Sequence, residues 1–303
     1  MERLFEHSKI DIQPLPGAPQ CPGKVEVALL RLDRLHPDVS GNKWFKLKYN
    51  LEAARRQGAG TVLTFGGAWS NHIASTAAIC HLLSLKSIGI IRGEEPRSWS
   101  ATLSRAKGHG MELHFISREQ YREKDDPAFI KQLLSTHGNP YIIPEGGNNA
   151  LGLKGCGEIL SICNVDGYTH ICCPVGTATT LCGLISTAEA PQHVVGFSAL
   201  KDADYLKAAI ENRLQPYRPH CLWELITDYH FGGFAKKNDV LLRFMKDFSD
   251  RYSTPLDFVY TAKMMYGITD LVKKGYFTAG SRILAIHTGG LQGNQSLRTF
   301  TDK

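Results

Sequence analysis

Two lysines three residues apart, Lys43 and Lys46, follow a Ser40-Gly41-Asn42 turn at the start of an expected helix. Residues three apart share a helix face. A lysine held behind a flexible turn can anchor an aldehyde cofactor covalently, and a second lysine on the same face can neutralise a phosphate. Two solvated surface lysines have the same spacing, so the pair alone leaves both readings open.

Three further blocks sit where a strand runs into a glycine- or hydroxyl-rich turn. In Phe65-Gly66-Gly67-Ala68-Trp69-Ser70-Asn71-His72 the glycines allow close approach of a ligand, and a helix N-terminus offers free N–H groups to an anion. Ser70 and Asn71 are equally ordinary helix caps, a role compatible with carboxylate binding. In Pro174 to Gly183, the turn Gly176-Thr177-Ala178-Thr179-Thr180 could cradle a phosphate or simply cap a helix. It lacks the Gly-Lys-Ser/Thr of a nucleoside-triphosphate loop, and the chain has no dinucleotide fingerprint after a strand. In Ala285 to Gly293, Thr288 could bond a pyridine nitrogen as a neutral partner, and His287 reads more readily as structural. Pro144 to Ala150 and Asp228 to Phe234 are loops that could line a cleft, and Tyr260 is either a proton donor or a packing residue.

The elements that must position these blocks alternate along the chain. Strands are expected at 61–65, 87–91, 112–116, 141–143, 170–175, 194–198, 257–260 and 283–287. Helices are expected at 71–84, 99–108, 127–136, 150–163, 179–188, 237–250 and 261–274. Repeated strand–helix units imply parallel sheets covered on both faces. So many strands suit two α/β domains better than one sheet.

The 303 residues are 43% hydrophobic and 21% charged, an ordinary globular balance. A formal charge of +6 without a run of lysine or arginine gives no nucleic-acid footprint and suits a small anionic ligand. Met1-Glu2-Arg3-Leu4-Phe5-Glu6 has no apolar core of a signal peptide, and no apolar stretch reaches the roughly 18 residues of a membrane span. The eight cysteines show no Cys-x-x-Cys spacing, so no metal site is expected, and reduced thiols in a cytoplasmic protein are.

Gly-Asn-Lys with Lys46 three on, Gly-Gly-x-x-Ser-Asn-His, Gly-Thr-Ala-Thr-Thr, Val-Tyr-Thr-x-Lys and His-Thr-Gly-Gly occur in this order between about residues 10 and 293. Together they resemble the pyridoxal-phosphate-dependent family of 1-aminocyclopropane-1-carboxylate deaminase and D-cysteine desulfhydrase. The resemblance implies an α/β, two-domain tryptophan-synthase-β-like fold. Residues 1–45 and 151–303 would form a large cofactor-binding domain, and 46–150 a smaller inserted one. It implies pyridoxal 5′-phosphate as cofactor and Lys43 as the Schiff-base lysine. Lys46 and Gly176, Thr177, Ala178, Thr179 and Thr180 would form the phosphate site. Asn71 would lie beside the ring hydroxyl, and Thr288 would face the pyridine nitrogen. Ser70, Asn71 and His72 would hold the substrate carboxylate, and Tyr260 would be an active-site tyrosine. A homodimer is implied as well.

One departure bears on substrate. The cyclopropane deaminases carry a tyrosine two residues before the histidine of the C-terminal motif, where this chain has Ala285. That favours β-elimination from D-cysteine, giving pyruvate, ammonia and sulfide, over cyclopropane ring opening to 2-oxobutyrate. A neutral Thr288 partner likewise favours elimination over transamination. A binding protein that kept the fold without catalysis is the reading from another class.

Overall fold

The computed structural model describes residues 9–17 and 24–298. Met1 to Glu6 and Cys21 lie outside the described residues; the described cysteines are all free thiols. Among the described residues no helix is long and apolar enough to cross a membrane.

Among the described residues, ten strands form two sheets. The six-stranded sheet contains β1 (Ile12–Pro14), β2 (Glu26–Leu30), β7 (His170–Val175), β8 (His193–Ser198), β9 (Leu222–Ile226) and β10 (Arg282–Ile286). Their spatial order is β1-β2-β10-β7-β8-β9, parallel except for the short edge strand β1. The four-stranded sheet is parallel throughout, in the order β5 (Glu112–Ile116), β4 (Lys86–Arg92), β3 (Thr61–Gly66), β6 (Tyr141–Ile143).

Helices cover both faces, as parallel sheets require. In the large sheet, Ile171, Cys173 and Val175 of β7 face a core shared with α1 (Asn42–Arg56), α5 (Ala150–Gly157), α6 (Thr179–Thr187) and α7 (Tyr205–Leu214). Cys172, pointing the other way, packs with α8 (Asp239–Tyr252) and α9 (Thr261–Lys273). The small sheet lies between α4 (Pro127–Thr136) on one face and α2 (Asn71–Leu82) with α3 (Ala101–Gly108) on the other. Ser70, Ser100, Asp126, Asn149 and Asn238 cap α2, α3, α4, α5 and α8 with their side chains, so each helix start is written locally.

Three features depart from the expectations. Residues 257–260 are a turn, not a strand: the Asp257 carboxylate accepts from the amides of Val259, Tyr260 and Thr261 at 2.9, 2.9 and 2.8 Å and from the Thr261 hydroxyl at 2.7 Å. This local capping outweighs the β propensity of Phe258 and Val259. The helix expected over 150–163 stops at Gly157 and tightens to a 3₁₀ turn over Glu158–Ser161, because the Thr187 hydroxyl donates to the Gly157 carbonyl at 2.9 Å. Finally, β1, β2, α7 and β9 are elements beyond those expected from the sequence.

β10 pairs with β7 only as far as Cys172, so Pro174, which has no N–H to donate, lies where β7 has lost its neighbour on that side. The carboxyl ends of β3, β6, β7 and β10 carry the four glycine-rich blocks. Ligands of open α/β sheets bind at such strand ends. The expected boundary at 45 falls inside α1, and the one at 150 at the start of α5.

Candidate active site

α1 begins at Gly41, whose φ of 67° and whose contact with the next loop both exclude a side chain. A Cβ there would overlap the Thr288 carbonyl, which accepts from the Asn42 amide at 3.3 Å. The 288–290 loop of the large sheet thus seats the first turn of the lysine helix.

On that turn, Lys43 donates to Asn42 Oδ1 at 2.7 Å, and Asn42 Nδ2 donates to the Thr180 hydroxyl at 2.8 Å. Lys46, only 6% exposed, donates to the Thr177 hydroxyl at 3.4 Å. Thr177 and Thr179 hydroxyls are 3.1 Å apart, and Thr179 donates to Asn148 Oδ1 at 2.8 Å. The donors therefore run in one direction, from Lys46 through Thr177 and Thr179 to Asn148. Ala178 holds φ of 62°, a strained value for alanine, just before α6 begins. Behind the loop, Arg213 Nη1 of α7 donates to the Thr177 carbonyl at 2.6 Å. The strand-end turn and the free N–H groups of the first turn of α6 make an anion cradle facing Lys46.

Neither Lys43 nor Lys46 makes an ion pair among the described residues. Burial, and then the Lys46 ammonium, brings the Lys43 amine down to about 7. Burial also lowers Lys46. A buried Lys46 and a partly buried Lys43 without an ion-paired carboxylate leave positive charge for an anionic ligand to answer.

From the small sheet, Ser70 caps α2 by accepting from the Ile73 amide at 3.3 Å. The amides of Asn71 and His72 have no intrahelical partner. Asn71 reaches the loop of the other sheet: a Cβ on Gly290 would stand 2.6 Å from Asn71 Nδ2. Asn71 Oδ1 is buried with no hydrogen-bond partner among the described residues. His72 does not lie with Ser70 on the open side. It is 3% exposed, and its Nε2 is 2.8 Å from the Thr64 hydroxyl, which donates to the Ile143 carbonyl at 2.7 Å. That order of donors leaves Nδ1 as the unprotonated nitrogen, and Nδ1 has no partner among the described residues. Burial, then Lys43 and Lys46, holds the imidazole neutral, down to about 3.

Tyr260, at the start of α9, closes another side. A Cβ on Gly176 would meet its ring at 3.0 Å, and the Phe234 ring lies 6.0 Å from it, edge-on. Burial, and then the Asp257 and Glu145 carboxylates, raises its phenol well above the ordinary range, so it stays protonated at neutral pH. Thr288 is buried at the end of β10, with no side-chain hydrogen bond among the described residues. His287 is a structural residue, its Nε2 2.9 Å from the Pro255 carbonyl and its Nδ1 accepting from the Gly289 amide at 3.3 Å.

The site thus assembles Lys43, Lys46, Asn71, the turn from Gly176 to Thr180, Tyr260 and the 288–290 loop, with Ser70 at its edge. Asn148 belongs to the Pro144–Ala150 loop expected to line a cleft, whereas the sequence alone assigns no such role to Asn42, Asp257 or Arg213. Asn42 was visible only as a turn residue. Arg213 needed α7, whose buried Leu206, Ile210 and Leu214 do recur at helical spacing.

The family model described as "Pyridoxal-phosphate dependent enzyme" matches residues 8–289. The chain is 30% identical over 305 residues to the mitochondrial bifunctional D-cysteine desulfhydrase/1-aminocyclopropane-1-carboxylate deaminase of Arabidopsis thaliana, covering 92% of this chain and 75% of that protein. It is 28% identical to D-cysteine desulfhydrase of Salmonella paratyphi A, covering 92% and 90%. A crystal structure described as an ACC deaminase homologue superposes with a TM-score of 0.81 at 26% identity, covering 96% of this chain and 92% of that one.

Proposed function

We propose, from the premise that the chain belongs to the family of pyridoxal-phosphate-dependent enzymes, that it eliminates sulfide from D-cysteine. The enzyme class, a pyridoxal-phosphate-dependent lyase or deaminase with the expected tryptophan-synthase-β-like fold, follows from the family itself. The reading is supported by one observation above all: a partly buried lysine amine, Lys43, brought down to about 7 beside an anion cradle and a protonated phenol.

The residues present fit the cofactor. The unpaired charge of Lys46 and the N–H-rich turn Gly176 to Thr180 suit its phosphate, and the orphaned Asn71 amide oxygen suits a ring hydroxyl. Lys43 would hold its aldehyde carbon, and Thr288 would face its ring nitrogen. When bound, the cofactor supplies the electron sink that makes the substrate Cα–H acidic.

The remaining work falls to this chain. Ser70 and the open amides of α2 bind the substrate carboxylate. Lys43, as a free amine, takes the Cα proton. The Cα–H electron pair forms the Cα–Cβ double bond as the Cβ–S bond breaks, and sulfur leaves as sulfide. Tyr260, protonated and packed against the Gly176 turn, would be the donor to the departing group. Water then converts the released enamine to pyruvate and ammonia, so cysteine and water balance pyruvate, ammonia and hydrogen sulfide. His72 contributes by holding α2 to β3 and β6 rather than by touching substrate.

Ala285 supports elimination over ring opening. It is a packed core residue in register with Leu29 and Cys172, and it provides no hydroxyl where the cyclopropane deaminases carry a phenol. A cytoplasmic homodimer belongs to the same reading and rests on the resemblance. Purified protein loaded with pyridoxal phosphate is expected to release sulfide and pyruvate from D-cysteine. Formation of 2-oxobutyrate from 1-aminocyclopropane-1-carboxylate at a higher kcat/KM would instead select the deaminase.

A further inference from the structure

Lys263 is 2% exposed, among the largest fully buried side chains, and it has no part in the chemistry above. It lies on α9, three residues after Tyr260. Its ammonium donates to the backbone carbonyl of Gly233 at 2.7 Å, with no carboxylate bonded to it among the described residues. Burial lowers its pKa to about 8, and Asp257 is the charge that opposes the shift. A cation kept in such a place costs more than a Leu or Met would, unless the carbonyl it holds matters.

Gly233 belongs to the connection between β9 and α8. Phe231, Gly232, Gly233 and Ala235 all have positive φ, at 51, 90, 111 and 54°. Two of these residues carry a Cβ, so the shape persists only where neighbours impose it. α9 supplies those neighbours on successive turns. Lys263 holds Gly233, Gly267 lies against the Tyr229 ring, and Asp270 accepts from the Tyr229 hydroxyl at 2.7 Å. At the loop's tip, Phe234 is 51% exposed and stands edge-on to Tyr260.

We propose that Lys263 is a positioning residue that holds Phe234 against Tyr260 and so limits the size of the amino-acid side chain the site accepts. The proposal rests on the reading that Tyr260 faces the substrate. One helix thus carries both the phenol and the clamp on the wall beside it, so the two keep a fixed separation.

Lys263→Met keeps the length and removes the donor, whereas Lys263→Gln keeps an N–H. In the cofactor-free protein, chymotrypsin is expected to cut at Phe231 and Phe234 about tenfold faster in Lys263→Met, since a charged hydrogen bond no longer opposes local opening, and at a rate between wild type and Lys263→Met in Lys263→Gln, whose amide donates without the charge. In the loaded enzyme, Lys263→Met is expected to raise KM for small D-amino acids more than it lowers kcat. It should also shift kcat/KM toward longer side chains. Phe234→Ala, which leaves the clamp in place, should show the same shift and serves if Lys263→Met does not fold. Equal cleavage of Lys263→Met and wild type overturns the clamp. Faster cleavage with an unchanged size preference overturns the positioning role. Failure of the functional reading is separate: the wild type would then turn over no amino acid, while the cleavage assay would still report on the clamp.

Discussion

Gly155 of α5 packs directly on the carbonyl of Phe45 in α1, so closely that a Cβ at 155 would overlap that oxygen. Gly183 of α6 meets α5 in the same way at Cys156, and Gly147 meets Lys46, where a Cβ would stand 2.9 Å from the lysine Cβ. The backbones of three helices are thus drawn together, which sets Lys43 and Lys46 against the Gly176–Thr180 turn. Gly155→Ala should cost about 1–3 kcal/mol and weaken cofactor binding. Gly108→Ala, at a helix end with open space around it, should be neutral or slightly stabilising. Thermal melts of the two variants check the contrast.

Asn42 bridges Lys43 and Thr180 through the two ends of one amide. Asn42→Ala removes both bonds and should reduce cofactor affinity roughly tenfold, as expected for the loss of a hydrogen bond to a charged group. Equilibrium titration of the cofactor-free protein with pyridoxal phosphate measures it.

The Lys43 amine must be unprotonated to attack an aldehyde. Uptake of added pyridoxal phosphate should therefore accelerate with pH through a midpoint near 7. The Lys46 ammonium is the second cause of that lowering, so Lys46→Met should move the midpoint upward as well as weaken binding. Stopped-flow absorbance across pH separates the two effects.

His72 remains neutral in the folded protein down to about 3, whereas the unfolded chain takes up the proton near 6.5. Below 6.5 the unfolded state binds more protons, so this residue's contribution falls as pH drops from 6.5 toward 3. His72→Gln keeps a donor for Thr64 and does not titrate. Denaturant midpoints of the variant should fall less steeply with pH across this window than those of the wild type.

Asp257 satisfies three amides and one hydroxyl and sets the direction of α9, hence of Tyr260 and Lys263. Asp257→Ala should cost about 2–3 kcal/mol, the range for lost hydrogen bonds to a charged acceptor. Urea denaturation tests the magnitude.

Most of the site was legible because its parts are strand ends. Glycine and hydroxyl residues after a buried apolar run mark a turn, and the turns at Gly66, Gly176 and Thr288 each follow the carboxyl end of a strand in a parallel arrangement. What was not legible depends on partners far away in sequence. Asn42 gains its meaning from Thr180, 138 residues on, and Arg213 gains its own from the Thr177 carbonyl. His72 looked like part of the carboxylate loop because it follows Ser70 and Asn71, but the helical turn sends it inward to Thr64. Asp257 to Tyr260 reads as extended because Phe258 and Val259 favour strands, but the carboxylate four residues before Thr261 caps the chain into a turn.

The central claim is that Lys43, and neither Lys46 nor Lys263, carries the cofactor. Reduction of the loaded protein with borohydride, followed by peptide mass mapping, tests it most directly. A single pyridoxyl group on the peptide containing Lys43, lost in Lys43→Ala, is the expected result. A label on another lysine, or one that survives Lys43→Ala unchanged, would contradict it.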